Sequence, residues 1–294
     1  MERSRETSGA DGAGRRTDRG SSTPRFGAVC RLDKVALDKP PDYHRRIALS
    51  PSWRTRALNS LLRLTMRRRI TQESDVSALR REYEEIDARY FQVAPDVQRT
   101  PVDCDGVPAE WITLPDSRHE RVMLYLHGGS FASRFPNAHA ALVSRLCRRL
   151  GARALVPDYR LAPEHPFPAA PDDCQRVCRA LIAQGVVPAS MVLAGDSAGG
   201  NLALVTIHRA KAAGEPLPSC VVLLSPALDC TLTSRSMADY DGHDPMLQLS
   251  TLLVLRRCYG QSPHQSGKPS KQSPVWQTGA RQALSDNRLS SMAT

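Results

Sequence analysis

Two short segments of this chain carry residue types that could do chemistry together. The first is Gly195-Asp196-Ser197-Ala198-Gly199-Gly200, a G-x-S-x-G pattern that follows the apolar run Met191–Ala194 and opens a helical stretch from Ala198. A serine on so sharp a strand-to-helix turn is lifted to the sheet's edge, where its hydroxyl can attack an acyl carbon. Gly195 and Gly199 remove side chains that would collide where strand and helix converge. A helix starting at the serine also aims free N–H groups and its positive dipole end at a developing oxyanion. The second segment is His127-Gly128-Gly129-Ser130-Phe131, directly after Val122–Leu126. Consecutive glycines let backbone N–H groups face a reacting carbonyl, and each such donor is worth about 3–4 kcal/mol of barrier. The expected donors are Gly128, Gly129 and Ala198, and His127 is expected to order the loop by hydrogen bonding rather than to act as a base. The chemistry would be acyl transfer to Ser197 followed by hydrolysis of the acyl-enzyme.

Such groups need a scaffold, and the flanking pattern supplies one. Val122–Leu126, Ala152–Val156, Met191–Ala194 and Cys220–Leu224 are short apolar runs of the kind found in strands covered on both faces. Helical stretches at Ala138–Leu150, Ala169–Gln184 and Ala198–Ala213 alternate with them. This alternation predicts a parallel sheet with helices on both faces and an active site at the carboxyl ends of the strands. Upstream, Val97–Asp103 and Pro108–Leu114 flank Asp105-Gly106, a hairpin signal. Val76, Leu79, Tyr83, Ile86 and Tyr90 recur every three or four residues, giving a helix that Pro95 ends. Its Glu and Asp residues are expected to pair with Arg80, Arg81 and Arg89. Ser52–Arg69 is a basic amphipathic stretch, with Leu58, Leu61, Leu62 and Met66 at helical spacing before Arg67, Arg68 and Arg69.

Charge is distributed unevenly. Residues 1–72 hold 17 Lys+Arg against 7 Asp+Glu, a net of +10, whereas the other 222 residues hold 23 of each sign. The basic character therefore belongs to an N-terminal arm, whose first 25 residues lack periodic apolar positions and are expected to be disordered. No nucleic-acid-binding signature accompanies the arginines, and Ser52–Arg69 is the candidate for contact with a membrane surface. No apolar run approaches the roughly 18 residues of a membrane span, and no secretory signal opens the chain. The expectation is a cytoplasmic protein with reduced thiols. Cys174 and Cys178, one helical turn apart, read as packing residues and not as metal ligands.

Three ordered motifs, HGGSF, DYRLAPEHPFPAA (Asp158–Ala170) and GDSAGGN (Gly195–Asn201), together resemble the hormone-sensitive-lipase (GDXG) branch of the α/β-hydrolases. The resemblance covers roughly Trp53 to Gly260. It implies an α/β-hydrolase fold, with a mostly parallel sheet under an N-terminal helical cap. It also implies lipase or esterase activity on a small acyl ester without a cofactor. Ser52–Tyr90 would form the cap, giving four regions: a basic arm (1–51), the cap (52–95), a partial core (96–260) and a polar tail (261–294). Ser130 stands where the family has a third glycine. Asp158, Tyr159, Arg160 and Glu164 match a segment that supports the active-site loops, so Glu164 should be structural.

A triad in this fold follows the order Ser, Asp or Glu, His. The histidines after Ser197 are His208, inside the helix behind the elbow, His243, in a loop, and His264, in the polar tail. None is a convincing base. Asp286 stands at about the distance from the serine where the resemblance places the acid, without the surroundings the family gives it. The tail from Gln261 lacks an apolar strand, so the last strands are expected to be missing by truncation, leaving Cys220–Leu224 near an open edge. The alternative to an active esterase is a catalytically impaired relative that binds a ligand or partner.

Overall fold

The computed structural model describes residues 52–65, 75–245 and 247–260. The basic arm, Met66–Arg69, His264 and Asp286 lie outside these residues.

Two helices open the described chain, α1 (Trp53–Thr65) and α2 (Val76–Tyr90). The strands β1 (Gln98–Cys104) and β2 (Val107–Thr113) follow as an antiparallel hairpin, with positive φ at both Asp105 (58°) and Gly106 (77°). That double left-handed turn is what an Asp-Gly pair favours. Next come β3 (Arg118–Leu126), α3 (Pro136–Leu150), β4 (Ala152–Pro157), α4 (Ala169–Ala183), β5 (Met191–Asp196), α5 (Ser197–Ala212), β6 (Cys220–Leu224), the short α6 (Arg235–Asp239) and α7 (Leu249–Gly260). The sheet runs β1-β2-β4-β3-β5-β6; β2 pairs antiparallel with β4, and β3–β4, β3–β5 and β5–β6 are parallel.

The central strand β3 shows why its sequence is apolar throughout. Leu124 and Leu126 enter one core layer with Val177 and Leu181 of α4 and Leu202 of α5. Met123 and Tyr125 enter the other with Val143 and Cys147 of α3. Cys174 and Cys178 of α4 belong to the first layer, as expected of packing residues, and burial pushes the Cys178 thiol up to about 11. At the margin of the described sheet β6 is less covered: Cys220 is exposed and Val222 keeps 40% of its surface.

Charged residues of α2 join it to the core, beside its buried Val76. Asp75 caps its N-terminus, accepting from the N–H groups of Ser77 and Ala78. Its buried Asp87 accepts from Asn137 N (2.7 Å) and Ala138 N (2.9 Å), so a carboxylate from α2 caps α3, whose own first turn begins with proline. Arg80 donates to Ala132 O (2.7 Å), Ala162 O (2.5 Å) and Glu164, and Glu84 accepts from Arg134. The expected pairing of Arg80 within α2 is therefore corrected, because its guanidinium reaches across to the core.

Candidate active site

Ser197 lies where β5 ends and α5 begins, with φ at +49°. A non-glycine residue there is strained and persists only where the surroundings over-determine it. The surroundings are tight. A Cβ on Gly199 would lie 1.9 Å from Leu126 O, and one on Gly195 would lie 2.5 Å from Gly199 C. The strand β3, the strand β5 and the first turn of α5 thus meet backbone to backbone, and the serine is pushed out of that junction. The N–H of Ala198, in the first turn of α5, has no acceptor within the helix.

Facing it is the loop after β3. Gly129 (φ 129°), Ser130 (55°) and Phe131 (61°) all have positive φ, and the N–H groups of Ala132 and Ser133 donate back to Gly129 O. A Cβ at Gly129 would meet Ser133 O at 2.0 Å, so that position requires glycine. Gly128 behaves differently from expectation. Its N–H donates to Asp196 Oδ1 at 2.9 Å, which removes it from the set of oxyanion donors. Of the three expected donors only Gly129 and Ala198 remain, and Ser130 lines the cleft beside them.

Asp196 was hidden in the sequence as the variable residue of G-x-S-x-G, yet three donors converge on its Oδ1. They are Gly128 N, Tyr125 Oη (2.9 Å) and His139 Nε2 (3.4 Å). Burial pushes its carboxyl up, but those hydrogen bonds and the charge of His139 outweigh burial and hold it below the ordinary aspartate value. Asp196 therefore ties the base of the loop after β3 to the turn at Ser197. The only sequence signal was a carboxylate beside Ser197; its partners lie on β3, on α3 and in the loop after β3.

His127 is buried, stacks on Tyr159 (4.2 Å between centroids) and donates from Nδ1 to Gly128 O at 2.8 Å. Tyr159 Oη donates to His127 O at 2.6 Å. The rest of the supporting segment is also engaged. Asp158 accepts from Arg134, Arg160 binds Asp173 through two nitrogens (2.9 and 2.8 Å), and Glu164 accepts from Arg80 and Ser77. Burial, reinforced by nearby His139, pushes the His127 pKa down to about 4. An unfolded histidine titrates near 6.5, so the unfolded chain takes up a proton that the folded ring refuses. Stability should be complete above about pH 6.5 and fall as pH drops toward 4, by on the order of 3 kcal/mol. Urea unfolding at pH 7 and 4.5 checks this. His127→Asn, which can still donate to Gly128 O, should lose less over that interval than the parent; an equal loss places the acid sensitivity elsewhere.

Ser197, Ala198, Ser130 and Phe131 open onto a cleft of about 340 Å³. Its far wall is mostly apolar, with Leu228, Met237 and Leu252 among its residues, and Phe131 stacks on Tyr259 at 4.0 Å. Asp229 is the carboxylate in the described lining, which contains no histidine. His208 lies within α5. His243 sits in a turn, its N–H donating to Tyr240 O and its carbonyl accepting from Arg63. The described residues thus bring Ser197 and the loop after β3 to one cleft.

Residues 123–286 match the sequence profile of the alpha/beta hydrolase fold family. An esterase from Acinetobacter venetianus is 36% identical over 224 residues, covering 76% of this chain and 73% of that protein. An acetyl-hydrolase from Streptomyces hygroscopicus is 40% identical over 151 residues, and there the match spans half of each protein. A crystal structure of an esterase from the bacterial hormone-sensitive lipase family superposes with a TM-score of 0.66 at 34% identity, covering 74% of this chain and 72% of that one. This chain belongs to the alpha/beta hydrolase fold family, in the hormone-sensitive-lipase-like branch of ester hydrolases.

Proposed function

We propose that the chain hydrolyses carboxylic esters of short acyl groups with Ser197 as nucleophile. Ser197 Oγ attacks the acyl carbon, and the alcohol leaves as the acyl-enzyme forms. Water then attacks the acyl-enzyme and releases the acid. The N–H groups of Gly129, Ser130 and Ala198 hold the oxyanion in both steps. Gly128 contributes by position, its N–H anchored on Asp196, and His127 with Tyr159 keeps the loop's backbone in place. The helices α1 and α2 belong to a cap, and α2 is fastened to the core through Arg80 and Asp87. The observation that carries this reading is the strained Ser197, which shares one apolar cleft with the left-handed Ser130. A cleft of about 340 Å³ suits an acetyl or butyryl ester better than a long chain, and it agrees with the acetyl-hydrolase among the relatives.

Treatment with a fluorophosphonate followed by peptide mass mapping tests the assignment. The expected adduct sits on the peptide carrying Ser197 and is absent from Ser197→Ala. An adduct on another residue, or undiminished labelling of the variant, overturns it.

A further inference from the structure

The helix α1 faces the wrong way for a piece of globular core. At 100° per residue, Trp53, Ala57, Leu61 and Leu64 form one stripe. All four are exposed, Trp53 and Leu64 at 75% and Leu61 at 56%. Among the described side chains of α1 the partly covered ones are Asn59 and Leu62, on the opposite side of the helix. Arg63, on the polar side, donates to His243 O at 3.0 Å. The helix thus turns the side carrying Asn59, Leu62 and Arg63 toward the protein and the stripe from Trp53 to Leu64 toward solvent. Guanidiniums flank the stripe, Arg54 along one edge and Arg56 along the other, and α1 carries no acidic residue.

This arrangement identifies its occupant. A second copy is a poor fit, because α1 is about 20 Å long and about 10 Å wide. Its footprint is well short of the roughly 1,000 Å² that a specific interface buries. Two such faces would also bring together two N-terminal regions that each carry a net charge of +10 over residues 1–72. An anionic lipid surface suits every feature. Trp and Leu enter the acyl boundary while the arginine stems run outward to phosphate. Each additional cation near such a surface is worth about 1 kcal/mol, and Arg67, Arg68 and Arg69 follow directly in the sequence.

We propose that α1 is an interfacial helix that seats the protein on an anionic bilayer, with Trp53, Leu61 and Leu64 buried in the headgroup–acyl boundary and Arg54 and Arg56 at phosphate level. The proposal stands on α1 alone and is independent of the chemistry at Ser197.

The test is co-sedimentation of the full chain with phosphatidylcholine vesicles, with and without phosphatidylglycerol, at low and high salt. Binding should require phosphatidylglycerol, weaken with salt and shift Trp53 emission to the blue. The double variant Leu61→Glu/Leu64→Glu changes exposed positions, so it should melt with the parent, yet bind at least about tenfold more weakly. Ser197→Ala should bind as the parent does. The proposal is overturned if the parent ignores the vesicles or if the double variant binds as tightly as the parent. It is also overturned if the parent is a dimer that the double variant converts to a monomer without any vesicle binding.

Discussion

Gly199→Ala is expected to yield no stable folded protein. The added Cβ would lie 1.9 Å from Leu126 O, 2.5 Å from Leu126 C and 2.6 Å from His127 O. All three atoms are backbone, so no rotamer change relieves the contact. Separating α5 from β3 far enough would break the parallel pairing of Leu126 with Gly195 and displace the loop that begins at His127. Ordinary overpacking costs about 1–3 kcal/mol, and a clash against fixed backbone at the centre of the sheet should exceed about 4 kcal/mol. That approaches the whole stability of a domain, about 5–15 kcal/mol. Gly214→Ala is the control, since its φ is +67° but a Cβ there would meet nothing within 4 Å. It should cost only about 1–2 kcal/mol of left-handed strain. The comparison is made by solubility on expression and by chemical denaturation. If Gly199→Ala unfolds within about 1 kcal/mol of Gly214→Ala, the close approach of α5 to β3 is wrong.

The sequence disclosed those features that depend on neighbours along the chain. Apolar runs marked β3, β4 and β5 because a strand covered on both faces has no polar side to show, and the three- and four-residue spacing marked α2 from Val76 to Tyr90. Asp105-Gly106 marked the hairpin because few other pairs accept two positive φ angles in succession. What escaped were contacts between residues far apart in sequence. Asp196 meets Tyr125 across 71 positions, and Asp87 caps α3 from 50 positions away. Gly128 looked like an oxyanion donor because a glycine pair after a strand suggests free N–H groups. Only the position of the Asp196 side chain shows that one of them is already occupied. The Ser130 backbone was legible only as a departure from the family motif, although its φ of +55° continues the turn as a glycine would.

Ser197→Ala should abolish ester hydrolysis attributable to the nucleophile, and its companion Ser197→Gly should show what that nucleophile costs the fold. In serine hydrolases with a complete triad, removing the nucleophile lowers kcat by about 10⁶ and leaves about 10³–10⁴ over water from the oxyanion hole and binding. Both variants keep the proposed Gly129, Ser130 and Ala198 donors, so both should fall to the same residual rate with p-nitrophenyl butyrate, with KM little changed. Their stabilities should differ. Ser197 sits at φ +49°, where a Cβ crowds the backbone at a cost of about 1–2 kcal/mol. Alanine retains that Cβ and glycine removes it. Glycine is also freer in the unfolded state, which offsets part of the gain, so Ser197→Gly should exceed Ser197→Ala by about 1 kcal/mol in urea unfolding. Equal inactivity with that stability order means that the strain in the elbow belongs to the presentation of the hydroxyl. If Ser197→Ala keeps the parental rate, the nucleophile is elsewhere. If the glycine variant is instead the less stable, the turn at Ser197 is not strained, and the geometry that singles out this serine loses its physical basis.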